Sequence, residues 1–430
     1  MKQYFKKTLC IFSVMALMLT GCGAATEDTT GESDVTSDDD AQEGGLEKTT
    51  GSVALRVWGS EEDGELLNQI ISSFKSEYGD QADFEITIEA CPESDCKDKI
   101  LDVVNNAPDV FTFADDQLST LASAGVLTPI EVNVDEVSSR NSASSVAAAS
   151  INDTLYAYPL TADNGYFLYY NKAYFDDASL QTLDGILQVA ASNGKKVTMD
   201  WSSGWYLYSF FGNTGLTVGL NDDGISNYCT WNATDGDIKG TDVANAMMSI
   251  ASSAGFMNGG DDALSAGALN DSVIAGISGV WLSTAMEEAW GDNLGAIKLP
   301  TYTVAGSQVQ MSSYAGYKMV GANNYSENKY WAETLADYIT NETNQTLRFN
   351  MRGQGPSNTN AAASSDVAAS PAIQALISQS EYSSLQRIGA NYWAPAAQLG
   401  ADMYAHTTGG LEMQEYLDNM AAEITASNSN

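Results

Sequence analysis

Two short stretches hold the side chains best suited to recognising a small molecule. In Trp58-Gly59-Ser60-Glu61-Glu62-Asp63 an indole stands beside three carboxylates. The combination recurs in Phe113-Ala114-Asp115-Asp116-Gln117. Aromatic faces pack against patches of C–H groups, and carboxylates accept strong, charge-assisted hydrogen bonds from hydroxyls. Together they suit a neutral, polar, hydroxyl-rich ligand.

The elements around them must bring the two stretches together. Val53-Ala-Leu-Arg-Val-Trp58 has the apolar and β-branched content of a strand. A turn at 59–64 leads into a helix with Leu66, Leu67, Ile70, Ile71, Phe74 and Tyr78 on one face. Phe84, Ile86 and Ile88 alternate with polar residues as a second strand. A helix over about 97–105 follows, and Asp109-Val-Phe-Thr-Phe113 is a third strand. A helix from about Asp116 should end at Gly125, a C′ glycine. Strand, helix, strand, helix, strand predicts parallel βαβ units. Ligands of such sheets sit beyond the carboxyl ends of the strands, so Trp58, Glu61, Glu62 and Asp63 should share one rim with Phe113, Asp115, Asp116 and Gln117. Further on, strands are expected at 166–170 and 196–199, and helices at 245–254 and 283–290. Ser326 should cap a helix carrying Trp331, Leu335, Tyr338 and Ile339. The run Gly353-Gln-Gly-Pro-Ser-Asn-Thr-Asn-Ala361 has no periodicity and suits a chain crossover.

A net charge of −37 excludes nucleic acid and charge-driven binding to an anionic membrane surface. The chain carries 21 Tyr and 8 Trp against 19 Lys and Arg, which favours a neutral partner over a polyanion. A body of nearly 380 residues is enough for two lobes with separate cores.

At the N-terminus Lys2, Lys6 and Lys7 precede an apolar run from Leu9 to Leu19, the layout of a secretory signal peptide over residues 1–21. Leu19-Thr20-Gly21-Cys22 resembles the lipobox of bacterial lipoproteins. That resemblance implies cleavage before Cys22, acylation of Cys22 with palmitate-like chains, and a location at the outer face of the cell membrane. Residues 22–52 form an acidic linker too poor in apolar residues to fold, with a reach of roughly 100 Å when extended. Outside the cell, Cys91 and Cys96 in CPESDC could close a small loop as a disulfide or remain two thiols. Cys229 is expected to be unpaired and partly buried. His406 is the sole histidine, so no metal site is expected, and nothing calls for a cofactor.

Several fragments in a fixed order resemble the maltose-binding-protein family, the solute-binding lipoproteins of sugar ABC importers. They are VALRVWGSEEDGELLNQIISSFKSE, APDVFTFADDQLSTLASAGVLTPI, LYAYPLTADNGYFLYYNKAYF, GISGVWLSTAMEEAW, LGAIKLPTYTV, YAGYKMV and GQGPSNTNA. The resemblance implies an α/β, two-lobe, periplasmic-binding-protein-like fold with a three-crossing hinge. The N-terminal lobe would take 53–161 with 310–354, and the C-terminal lobe 164–306 with 358–430. It implies a monomer that traps an oligosaccharide, malto-oligosaccharide foremost, by hinge closure and delivers it to membrane permease subunits. Positions matching the family's sugar contacts are Phe113, Asp116, Asp163 or Asn164, Trp205, Trp281 and Trp393. Gln117 departs from the arginine of the best-known maltose binder.

Two other readings compete. The same fold could hold a non-carbohydrate solute such as a peptide or polyamine. A secreted glycoside hydrolase would need a pair of carboxylates across a scissile bond, and no pair stands out in the sequence. The expectation is therefore a binding protein and not an enzyme.

Overall fold

The computed structural model describes residues 46–221 and 225–426. The signal segment, Cys22 and most of the linker lie outside the described residues.

Two five-stranded sheets organise the body. In the first the strands run in the order Asp83–Ala90, Ser52–Gly59, Val110–Ala114, Lys318–Ala322, Tyr158–Thr161. Its first three strands are mutually parallel, and Lys318–Ala322 runs antiparallel to both neighbours. The helix Gly64–Tyr78 packs Leu66, Leu67, Ile70, Ile71 and Phe74 onto this sheet, the stripe expected from their spacing. Phe74 meets Phe84, Trp331 and Tyr338 edge-on at 5.1, 6.5 and 5.4 Å. This core is built from residues 53–160 and 319–339.

The second sheet has the order Phe256–Asn258, Lys196–Met199, Val273–Ser278, Phe167–Asn171, Leu294–Ile297. Its cores draw on residues 166–314 and 367–424. Two sheets with separate core residues make two lobes; after the second sheet is complete the chain adds Lys318–Ala322 to the first sheet and then returns to the second lobe with helices.

Three crossings join them. Residues 162–166 leave the first sheet; 311–317 return to it; 353–358 leave it again. The crossings are tied to each other by backbone pairs. Ala162 N–H donates to Gly355 O at 3.0 Å, Asn164 N–H donates to Gly316 O at 3.2 Å, and Thr161 bridges Pro356. Among the described residues no helix is long and apolar enough to cross a membrane.

Two local expectations need comment. Gly125 ends the Leu118–Ser123 helix with φ 71°, and Val126 N–H reaches back to Leu121 O at 3.0 Å, a glycine-terminated Schellman end. Ser326, by contrast, does not cap the following helix. That helix starts at Lys329 with Asn328 at the N-cap. Ser326 Oγ donates to Asp109 Oδ1 at 2.5 Å and accepts from Asn328 N–H at 3.2 Å, so it braces the turn just before the helix.

Candidate functional site

The second lobe supplies an aromatic wall. Trp205 opens the helix Gly204–Phe211, and Trp393 opens the helix Trp393–Tyr404. The two helices cross closely because Gly204 has no side chain: a Cβ there would stand 2.9 Å from Trp393 O and 3.1 Å from Ala396 Cβ. Tyr392 OH fixes the crossing by donating to Gly204 O at 2.7 Å. Trp281 lies in the turn after Val273–Ser278. Its ring folds back over Gly279, where any Cβ would collide with it at 2.0 Å. Trp205 and Trp281 rings stand 5.6 Å apart at 35°, with Tyr166 4.7 Å from Trp205. Trp393 lies 6.4 Å from Tyr314. Trp205, Trp281 and Trp393 all remain half-buried.

Trp281 is held in place. Its Nε1–H donates to Asp261 Oδ2 at 2.7 Å, and Ser278 Oγ donates to the other oxygen of Asp261 at 2.6 Å. A carboxylate with both oxygens occupied sets the indole plane.

The first lobe contributes polar groups at the carboxyl end of Val110–Ala114. Asp115 is buried and accepts from Tyr317 N–H at 2.9 Å and from Arg387 Nη1 at 2.8 Å. Burial raises its pKa, with Arg387 and Tyr317 opposing. Asp116 is half-buried. Burial and the neighbouring Asp115 carboxylate push its pKa up to about 7, while Lys97 and the Gln386 side chain pull it down. Lys318 pairs in register with Ala114 and stands over the Trp281 ring at 5.9 Å, so the two lobes meet here.

At the hinge, Asp163 is almost fully buried, and its Oδ2 accepts from Gly355 N–H. Burial raises its pKa. Its Oδ1 has no hydrogen-bond partner. Asn164 is half-buried beside Gly316, where a Cβ would stand 3.2 Å from Asn164 Nδ2 and 2.7 Å from Asp115 Oδ1. Asp115, Asn164 and Gly316 thus converge at one point.

Other expected residues lie elsewhere. Phe113 is fully buried, 5.6 Å from Phe111, and presents no ring surface to a cleft. This corrects its expected role: every one of residues 110–113 is buried, so strand alternation does not free Phe113. Trp58 faces its strand neighbour, donating Nε1–H to Glu89 Oε2 at 2.8 Å, and is not brought to the aromatic wall. Glu61 and Glu62 are exposed in a short turn over Glu61–Asp63. Asp63 beside them is fully buried and bound by Arg348 and by Arg352 Nε at 3.1 Å. Burial alone would raise its pKa, but Arg348, Lys318 and Arg352 hold it below the ordinary value. Cys91 and Cys96 stand side by side as free, buried thiols, the second of the two arrangements the sequence left open. The two thiols hydrogen-bond each other, which lowers the pKa of Cys91 and raises that of Cys96. Cys229 is free and half-buried, as expected.

Sequence reasoning passed over Glu93, Asp261, Lys318 and Arg387. The same rule that selects residues beyond a strand's carboxyl end would select Glu93, three residues after Asp83–Ala90. Lys318 could be found only through the antiparallel return strand. Asp261 and Arg387 come from segments with no pattern of their own.

Known proteins resemble the chain over most of its length. A galactooligosaccharide-binding protein of Bacillus subtilis (strain 168) is 25% identical over 349 residues, spanning 76% of this chain and 78% of that protein. A solved complex with acarbose is 27% identical with a TM-score of 0.76, covering 87% of this chain and 99% of the other. The maltodextrin binding protein MalE1 from L. casei BL23 shares the fold at 22% identity, with a TM-score of 0.71 and coverage of 87% and 100%. The family model of the bacterial extracellular solute-binding protein matches residues 69–375. That span is well over half of the chain, and the chain belongs to this family of binding proteins.

Proposed function

We propose that the chain captures a neutral oligosaccharide, malto-oligosaccharide foremost, between its lobes and hands it to the permease subunits of an ABC importer. A lipid on Cys22 would hold it at the outer face of the membrane. The observation that carries this reading is the Trp205–Trp281 ring pair of the second lobe, over which Lys318 reaches from the first-lobe rim that also carries Asp115 and Asp116. Pyranose C–H faces stack on indoles, and hydroxyls bond to the charged rim. Several rings in a row favour a chain of sugars over a single one. Asp116, Asn164, Trp205, Trp281 and Trp393 are the contacts we assign; Asp163, buried against Gly355, shapes the hinge beside them. The likeness to a complex with acarbose, an α-glucan mimic, supports the α-linked reading.

A second reading, β- or α-linked galacto-oligosaccharides, is favoured by the B. subtilis relative. Calorimetric titration of the purified protein with maltotriose and with galactosyl oligosaccharides separates the two. Tight binding to maltotriose with none to the galactosides supports the first. The reverse pattern supports the second. No binding to either removes both.

A further inference from the structure

Lys318 and Glu93 form an ion pair of unusual placement. Lys318 is the first residue of the return strand, in register with Ala114, so it emerges on the rim where Asp115 begins. Glu93 lies in the loop between Asp83–Ala90 and the helix Cys96–Asp102. Lys318 Nζ stands 3.6 Å from Glu93 Oε1, and the two side chains are only 12% and 13% exposed. That separation is too long for a hydrogen bond. Glu93 Oε1 is buried with no hydrogen-bond partner, and so is Trp205 Nε1 in the facing wall. A buried carboxylate oxygen left this way is costly unless something supplies a donor.

The loop that carries Glu93 is anchored from below. Gln117 Nε2 donates to Glu93 O at 2.7 Å, and Gln117 Oε1 accepts from Lys97 N–H at 3.0 Å. Gln117, buried under the loop, therefore anchors the backbone that carries Glu93. On the other side Asp261 fixes the Trp281 ring, over which Lys318 lies at 5.9 Å. A donor–acceptor pair and an aromatic face are thus set on opposite lobes at fixed distances.

We propose that Glu93 and Lys318 together recognise one hydroxyl of the ligand whose ring stacks on Trp281. The hydroxyl donates its proton to Glu93 Oε1 and accepts from Lys318 Nζ. Two hydrogen bonds of about 2.8 Å close a triangle on the observed 3.6 Å edge. The arrangement selects uncharged ligands. A carboxylate in the same place would face the Glu93 oxygen, and an ammonium would face Lys318. Because the carboxylate is buried and otherwise unpartnered, a sugar lacking that hydroxyl leaves it unpaired and is rejected. The inference rests on the oligosaccharide reading above and adds its specificity-determining residues.

The test is calorimetric titration of wild type, Glu93→Gln, Lys318→Met and the double variant with maltotriose and a set of monodeoxy maltosides. Thermal melts without ligand serve as the folding control. Each single variant should bind maltotriose ten- to a hundredfold more weakly while remaining folded at the titration temperature, and Lys318→Arg should recover part of the loss. The double variant should lose less than the product of the two. In wild type, one deoxy position should cost at least tenfold, and Glu93→Gln should erase the penalty at that position alone. If a single variant fails to fold, the deoxy series on wild type still decides. Wild-type binding that is indifferent to every deoxy position, or variants within twofold of wild type, overturns the assignment while leaving the oligosaccharide reading intact. Wild type that binds no neutral oligosaccharide overturns both.

Discussion

Arg387 Nη1 stands 2.8 Å from Asp115 Oδ2 and thereby ties the second lobe to the first. Asp115 ends the central strand of one sheet and is 1% exposed. Arg387 follows the strand Ser383–Leu385 of the other lobe and is 43% exposed. The pair is lopsided: one charge is desolvated, the other is wet. Its loss should therefore depend on which partner is removed. Arg387→Ala strands a buried carboxylate with only Tyr317 N–H as a partner, whereas Asp115→Asn frees a solvated guanidinium. Arg387→Ala should lower the melting temperature by several degrees and open the lobes, read as a larger radius of gyration in X-ray scattering. Asp115→Asn should do much less. Equal effects would show that the pair does not hold the lobes.

Asp116 should make stability fall as pH rises. Its pKa in the folded chain is pushed up to about 7 by burial and by Asp115, above the ordinary carboxylate value. Below the unfolded pKa of about 4 the group is protonated in both states and costs nothing. Between about 4 and 7 only the unfolded chain ionises freely, and the penalty grows; above 7 it is complete. Asp116→Asn should raise the melting temperature at pH 8 and leave it near wild type at pH 4. The same gain at both pH values would contradict this.

Asp63 behaves in the opposite sense. Burial would raise its pKa, but Arg348 and Arg352 outweigh burial, so the folded value lies below the ordinary one. The stability it contributes is present above the unfolded pKa of about 4 and is lost as pH falls through the folded value. Arg348 and Asp63 side chains are 1% and 0% exposed, so Arg348→Met leaves a buried charge with Arg352 as its one remaining ion-pair partner and Lys318 at longer range. The expected cost is about 3–5 kcal/mol by urea unfolding at pH 7. A change within about 0.5 kcal/mol would show that the pair is dispensable.

Much of the fold was legible in the sequence because apolar spacing reports directly on packing. The stripe from Leu66 to Phe74 and the alternation through Phe84 fixed the βαβ start. Strand order then placed Asp115 and Asp116 at the rim. The tryptophans at 205, 281 and 393 came through resemblance, not through pattern; the Trp205 and Trp281 rings stand 5.6 Å apart, and Trp393 packs its backbone on Gly204. What stayed hidden has a common cause. Glu93, Asp261, Lys318 and Arg387 act through partners 20 to more than 270 residues away, and local sequence holds no trace of such pairings. The same limit explains Trp58 and Phe113. Whether a strand residue faces the cleft, a neighbouring strand or the core depends on what covers each face of the sheet. Asp63 looked like one more rim carboxylate beside Glu61 and Glu62 until Arg348, far along the chain, was seen to bury with it.

The central claim is that the aromatic wall binds an oligosaccharide, and Trp281 is its best-fixed element. Calorimetric titration of wild type and Trp281→Ala with maltotriose tests it most directly, with melting curves confirming that both proteins fold. Saturable one-to-one binding by wild type and a loss of a hundredfold or more in Trp281→Ala is the expected result, since a stacked indole supplies both area and orientation. Wild-type affinity retained in Trp281→Ala would place the ligand elsewhere and contradict the assignment of this cleft.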